Sequence, residues 1–379
     1  MAGYIFSLNN IESLDYSIQN GVYSTILNKV PKNNIWGAAH EGTFADYITM
    51  KEGDNIFFFH KRKIYGIGEL ININKDCKFL NFPGSDLPYR YKLKDMKNRM
   101  ILNKNSSDLM KRVVCTFKAN PFFFKNGVDM DEVLSSNPSS FKMLRAFWKT
   151  SFIKIDDEEN QALIDVILKN NEANLEQRTN IYPKQSTVHN RIRSLISSDK
   201  VADYIVNADN IIKKVAHTDG KIRHEMALEA GVLDYMTNKR GETFGNWDYL
   251  SRQVVASPFK PIDYMDRMDI FGYRYIPGFK TISKYLVIEL KKEAAFEEDI
   301  NQIMKYVDWV NQEYSFGDYN MIDAYLIAYS FPGRVLEQKK EVATRKFAKG
   351  TRPAQSLEWD NLKLVQYRFV DGKLKFSVV

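Results

Sequence analysis

A chain of 379 residues is long enough for two or three domains, and one core is not expected to hold it all. Its formal net charge of +7 and pI near 9.0 favour a polyanionic partner, although charge alone does not separate DNA from RNA. Two cysteines without a paired motif, Cys77 and Cys115, speak against a disulfide framework or a zinc site. The absence of a long apolar run or a leader-like start speaks against a membrane protein, so a soluble cytoplasmic protein is expected.

From the start of the chain, Tyr4 to Leu8 reads as a strand, Asn9 to Leu14 as the polar-capped start of a short helix, and Gly21 to Thr25 as a second extended segment. Trp36 is read as opening a further strand. Met50 to His60 and Ile64 to Leu70 follow as two strands joined by the basic turn Lys61 to Lys63, with Phe57, Phe58 and Phe59 assigned to core packing. Gly53-Asp54 before an aromatic-rich strand, then Tyr65 to Leu70, resembles the PUA-like barrel superfamily, its EVE and YTH members in particular. The resemblance implies a pocket for one flipped-out base. Stacking suits that task, because a planar base offers a face to an aromatic wall. Carried over, Tyr23, Ser24 and Trp36 would be the base-binding residues. Tyr23 stands where the YTH pattern usually has Trp, which leaves the identity of the base open.

Beyond the barrel, Phe117 to Leu134 reads as a strand and turn leading to a helix. The next helical pattern has Phe141, Leu144 and Trp148 on one face, and an acidic cap precedes a helix from Ala162 to Leu168. Asp129, Asp131 and Glu132 are read as cap and surface charges. The polar stretch from Asn170 to about Tyr182 marks a linker, and Ser186 to Ala216 reads as helices. Lys184, His189, Arg191 and Arg193 make their start basic, either as a DNA-tracking face or as a solvated one.

The most informative stretch lies further on. Lys284 to Lys292 reads as a buried strand on which Glu289 and Lys291, two residues apart, must share a face. Burying such charges without partners costs several kcal/mol, on the order of the values for real proteins. Upstream, Asp269 leads into Ile270-Phe271, separated from the Glu strand by a hairpin-like loop. Downstream, Phe296 to Val310 has apolar residues at helical spacing, an acidic first turn, and Gln302 and Tyr306 one turn apart. A helix from Arg223 to Leu233 carries Glu225 and Glu229 on one face. Tyr325 to Phe331 and Leu362 to Phe369 read as strands, with Arg345, Lys346, Lys349 and Arg352 in a basic loop between them.

The order Asp269, then Glu289-x-Lys291, then Gln302-x-x-x-Tyr306, after a carboxylate-bearing helix, resembles the PD-(D/E)XK nucleases. The mismatch-endonuclease branch and its restriction-enzyme relatives are the nearest in pattern, over roughly residues 220 to 331. The resemblance implies that Asp269 and Glu289 hold Mg²⁺, with Mn²⁺ able to substitute. Lys291 would position the attacking water or stabilise developing charge, and Gln302 and Glu225 or Glu229 would complete the site.

Together these readings predict an α+β protein with residues 1–172 as a PUA-like β-barrel with helices. Residues 173–219 form a linker and helical connector, and residues 220–379 an α/β/α PD-(D/E)XK domain. The implied function is a Mg²⁺-dependent endonuclease on double-stranded DNA, acting in modification-dependent or sequence-specific restriction against foreign DNA. Alternatives are a mismatch or damage repair endonuclease, and a non-catalytic reader of modified nucleic acid. A homodimer on DNA is expected, since two strand cuts need two sites.

Overall fold

The computed structural model describes residues 1–27, 30–146, 152–177, 187–196, 201–238, 243–256 and 266–379. Trp148, Lys184, Met265 and the end of the proposed linker lie outside them. The chain is mixed α/β and divides into two compact units, Met1–Val206 and Asn207–Val379; the division falls inside the stretch that the sequence assigns to a connector.

The first unit is built on an eight-stranded sheet. Its strands are β1 (Gly3–Ser7), β2 (Val22–Tyr23), β3 (Asn55–His60), β4 (Lys63–Leu70), β5 (Lys78–Leu80), β6 (Val113–Ala119), β7 (Val128–Asp129) and β8 (Phe152–Ile155). The main path runs β2-β6-β4-β3-β1-β8, with β5 on β6 and β7 on β4. Helix α1 (Ile11–Asn20) starts at Asn10, whose side chain accepts from the Ser13 N–H, and ends at Gly21 in the left-handed conformation. The β3–β4 turn is tight enough to hold Lys61 and Arg62 at positive φ. Phe57 and Phe58 are fully buried, as their run predicts.

Trp36 does not open a strand. It precedes helix α2 (Ala38–Ile48), whose buried positions Phe44, Ala45 and Ile48 are spaced one turn apart against the sheet. Helix α3 (Asp157–Asn170) begins at Asp156, which accepts from the N–H groups of Glu158 and Glu159; helix α4 (Thr187–Leu195) supplies Val188 and Ile192 to the core around Val22 and Phe79. Asp129 caps a short helix, Met130–Ser136, as its sequence position implies.

The second unit is a six-stranded mixed sheet in the order β16-β15-β12-β11-β10-β9. Its strands are β9 (Tyr249–Val255), β10 (Arg267–Tyr275), β11 (Ile282–Ala294), β12 (Ile322–Ser330), β15 (Leu362–Val370) and β16 (Lys373–Val378). The pairs β9–β10 and β10–β11 are antiparallel, whereas β11–β12 and β12–β15 are parallel. Helix α5 (Asp209–Val215) precedes helix α6 (Glu225–Asn238). Helix α7 (Glu297–Val310) makes the crossover between the parallel strands β11 and β12, and helix α8 (Gly333–Val342) follows β12. The basic segment after α8 is a hairpin and not a loop: β13 (Arg345–Lys349) pairs with β14 (Gln355–Trp359), pinned by Arg345 on Asp308 and by packing of Phe347 and Trp359 around Tyr319.

Candidate active site

Strand register builds the carboxylate pair. The last registered β10–β11 pair is Ile270 with Ile288, so one step further Asp269 stands across from Glu289. On β9, Gln253 falls between the partners of Met268 and Ile270 and therefore stands opposite Asp269. Directly opposed residues point to one face, which pairs Asp269 with Glu289; Gln253, at a positive φ of 54° that breaks the alternation of β9, turns its side chain to Asp269 as well. Lys291 sits two residues beyond Glu289 on the same face.

Hydrogen bonds fix these groups. Gln253 Nε2 donates to Asp269 Oδ1 at 3.0 Å and to Glu229 Oε2 at 2.7 Å, and the Leu290 N–H donates to Asp269 Oδ2 at 2.8 Å. Lys291 Nζ donates to Glu289 Oε1 at 2.6 Å and to Gln302 Oε1 at 3.4 Å, with Asp299 Oδ1 at 3.6 Å. Gln302 in turn donates to Tyr306 Oη at 2.8 Å. Glu289 Oε2 is buried and lacks a hydrogen-bond partner. Such an atom carries the desolvation cost of a polar group without compensation.

Electrostatics follow from crowding. Burial, then the neighbouring Glu229, push the Asp269 carboxyl up to about 7. Burial, then Asp269, push Glu289 up to about 8. The two oppose each other across adjacent strands and titrate as a pair that retains a proton near neutrality. Burial lowers the Lys291 pKa, but the Glu289 carboxylate outweighs it and the ammonium is held above its usual range.

The two carboxylates on α6 are divided. Glu229 is buried, paired with Arg252 and joined to Asp269 through Gln253; Glu225 Oε2 accepts from the Lys292 N–H at 3.3 Å. The structure thus gathers Asp269, Glu289, Lys291 and Gln302 in one cluster, with Glu225 beside it. Sequence reading did not single out Gln253 or Arg252, whose positions depend on the β9 register, and it noted Asp299 only as part of an acidic helix start.

No three carboxylate, imidazole or thiol groups among the described residues converge as a metal cage. A Mg²⁺ site does not need one, because that ion is commonly held by one or two carboxylates with waters and substrate phosphates completing its octahedron. The unpartnered Glu289 Oε2 and the raised carboxyl pair fit such an ion, which would add positive charge to that of Lys291.

In the first unit a cavity of about 580 Å³ is walled by Tyr16, Tyr23, Ser24, Lys104, Asn105 and Lys111, among others. Tyr23 stacks face to face on Phe6 with centroids 3.9 Å apart, packs at a tilt on Phe58, and is itself buried at the cavity wall. Ser24 Oγ donates to the Val113 carbonyl at 2.5 Å. Trp36 is placed elsewhere: its ring is 1% exposed, packs on His40 and Phe44, lies under the Arg112 guanidinium, and donates from Nε1 to the Asp86 carbonyl at 2.6 Å. Tyr23 and Ser24 both line the cavity, Tyr23 as a buried core ring, whereas Trp36 is buried away from it.

No family model matches the chain, and no curated protein matches it in sequence. Similar solved structures include a repair endonuclease from Pyrococcus abyssi, 23% identical over 26% of this chain and 34% of that one, with a TM-score of 0.18. The match therefore spans about a third of the endonuclease. A protein from Rhodopseudomonas palustris is 17% identical over 44% of this chain and 92% of its own (TM-score 0.27). A hypothetical protein from Leishmania major is 14% identical over 47% and 97% (TM-score 0.28). Scores this low leave the functional reading to the chain's own residues. No helix among the described residues is long and apolar enough to cross a membrane.

Proposed function

We propose that the chain is a metal-dependent DNA endonuclease of the PD-(D/E)XK type, with the second unit hydrolysing phosphodiester bonds. The observation that carries this reading is the cross-strand pair Asp269 and Glu289, with Lys291 bonded to one oxygen of Glu289 and the other oxygen left unpartnered. Asp269 and Glu289 would hold Mg²⁺ or Mn²⁺, which when bound polarises the scissile phosphate and lowers the pKa of a bound water. Gln253 and the Leu290 N–H fix the Asp269 carboxylate, so its oxygens need no reorientation on loading. Lys291, locked as an ammonium between Glu289, Asp299 and Gln302, would donate to phosphate oxygen as negative charge grows there. Water adds across one P–O bond, and of the two new ends of the cut strand one carries a phosphate monoester and the other a hydroxyl.

The first unit is proposed as the reader. Its cavity beside Tyr23 and Ser24 is the place where a displaced base, plain or modified, would go, in keeping with the resemblance to PUA-like barrels. Restriction of foreign DNA, dependent on either modification or sequence, is the proposed role, with a homodimer cutting both strands. The test is digestion of matched duplexes, unmodified, methylated, hydroxymethylated and mismatched, by the full chain in Mg²⁺, Mn²⁺ or EDTA. Cleavage with either ion and none in EDTA is the expected result, and preference among the duplexes separates restriction from mismatch repair. Binding without cleavage under every metal condition would leave a non-catalytic reader.

A further inference from the structure

The first unit carries a charged strap that neither the catalytic cluster nor the cavity accounts for. Arg90, Lys92, Lys94, Lys97 and Arg99 fall within ten residues, and all five are exposed. The acids facing them are few: Asp95 lies within the strap, and Asp203 sits 3.9 Å from Arg99. The stretch continues to Lys104 and Lys111, which line the cavity and lie 4.7 Å and 5.7 Å from the Tyr16 ring centroid.

The backbone under these cations is held from below. Arg112 Nη2 donates to the Tyr89 carbonyl at 2.9 Å, and Tyr91 Oη to the Gly84 carbonyl at 2.7 Å. Arg191 donates to the Lys97 carbonyl at 3.0 Å and to the Met100 carbonyl at 2.7 Å, and Tyr204 Oη to the Arg99 carbonyl at 2.7 Å. Buried and half-buried donors thus order the main chain while the charged heads point outward. A cation displayed on a fixed frame loses less freedom when it meets a phosphate.

The chemistry of the strap narrows its partner. No large hydrophobic side chain in it is exposed, so it lacks both the apolar face of a membrane-surface segment and the apolar centre of a protein interface. A surface offering charge without apolar contact fits a phosphate backbone, where cations fix register and release counterions. We infer that Arg90, Lys92, Lys94 and Lys97 form a docking strap for the backbone of double-stranded DNA, running up to the cavity mouth at Lys104. The choice of DNA over RNA rests on the substrate proposed for the second unit; the strap itself does not.

The experiment is anisotropy of a labelled duplex with the full chain in EDTA, so that binding is read without cleavage, over a range of salt. A variant with Arg90, Lys92, Lys94 and Lys97 all changed to Gln is compared with one carrying the same change at the exposed Lys61, Lys63, Lys125 and Lys169. The strap variant is expected to flatten the plot of log affinity against log salt by about 3 to 4, near 0.9 per lost phosphate contact. The control variant should leave the slope within about 1 of wild type. Equal slopes in all three proteins, or equal flattening in both variants, would overturn the strap. So would a strap-dependent affinity for anionic phospholipid vesicles, or for duplex RNA, with DNA binding unchanged.

Discussion

Two buried glutamates, one in each unit, share the local marks of a perturbed site, and only one of them faces a second carboxylate and a lysine. Glu159 on α3 is fully buried, accepts from the Met143 and Leu144 N–H groups at 2.7 and 3.1 Å, and leaves its Oε2 without a partner. Burial, then Asp156, hold its carboxyl well above the usual range. Glu289 likewise has one bonded and one unpartnered oxygen and a raised pKa. The difference is in what surrounds them. Glu159 is spent on the start of a helix, Lys142–Ala146, with backbone as its only donors in the hydrogen bonds described. Glu289 faces a second carboxylate, holds a lysine, and shares that lysine with Gln302. Burial and an unsatisfied oxygen are thus weak markers alone; convergence of a second acid and a fixed cation is what distinguishes the site.

The largest effect that sharpens this contrast is on cleavage. Glu289→Gln, Asp269→Asn and Lys291→Ala should each lower the rate ~10²-fold or more, because each removes a group that acts on the transition state. Glu159→Gln should cut at close to the wild-type rate, since its amide oxygen can still accept from Met143 and Leu144. Initial rates on a duplex that the wild type cuts would check this, and wild-type cleavage by Glu289→Gln would erase the contrast.

A smaller effect is expected at Gln253. Gln253→Ala leaves Glu229 and Asp269 without their shared donor, and loss of such a supporting contact typically costs about 10–100-fold in metal affinity or activity. The Mg²⁺ concentration for half-maximal cleavage should rise, with less change in DNA affinity measured in EDTA.

Stability against pH gives the third effect. The folded pair has raised pKa values, so between about pH 4, where the unfolded carboxyls ionise, and about pH 8 the folded chain holds more protons than the unfolded one. Stability from this pair is therefore greatest at low pH, falls by up to ~1.4 kcal/mol per pH unit for each proton retained, and is flat above both folded values. Without metal, Glu289→Gln should melt higher than wild type at pH 8, by roughly 2–4 °C for each kcal/mol relieved. Melting curves at pH 6 and pH 8 check the sign; an equal or lower melting point for the variant at pH 8 would contradict it.

Much of the second unit was legible before the structure. The strand at Lys284–Lys292 and the helix after Phe296 emerge as Ile282–Ala294 and Glu297–Val310, because apolar spacing on long elements is a strong signal. Spacing also put Glu289 and Lys291 on one face. What was not legible came from pairing: Gln253 reaches Asp269 only through the β9 register, to which no local pattern points. Trp36 shows the reverse limit. Its residue type suits a pocket, but the helix that follows it and the buried carbonyl of Asp86 hold it in the core. The basic segment after α8 read as a loop because its alternation is weak, while its strands are held from outside the segment by Asp308 on Arg345 and by Tyr319 between Phe347 and Trp359.

The most direct test of the central claim needs no substrate. Titration of Mn²⁺ into the metal-free full chain, with free ion followed by electron paramagnetic resonance, counts sites and gives their affinity. The account predicts one site in the wild type and in Glu159→Gln, at least tenfold weaker in Asp269→Asn and in Glu289→Gln. Equal Mn²⁺ binding by wild type and Glu289→Gln would contradict it, as would loss of the site in Glu159→Gln.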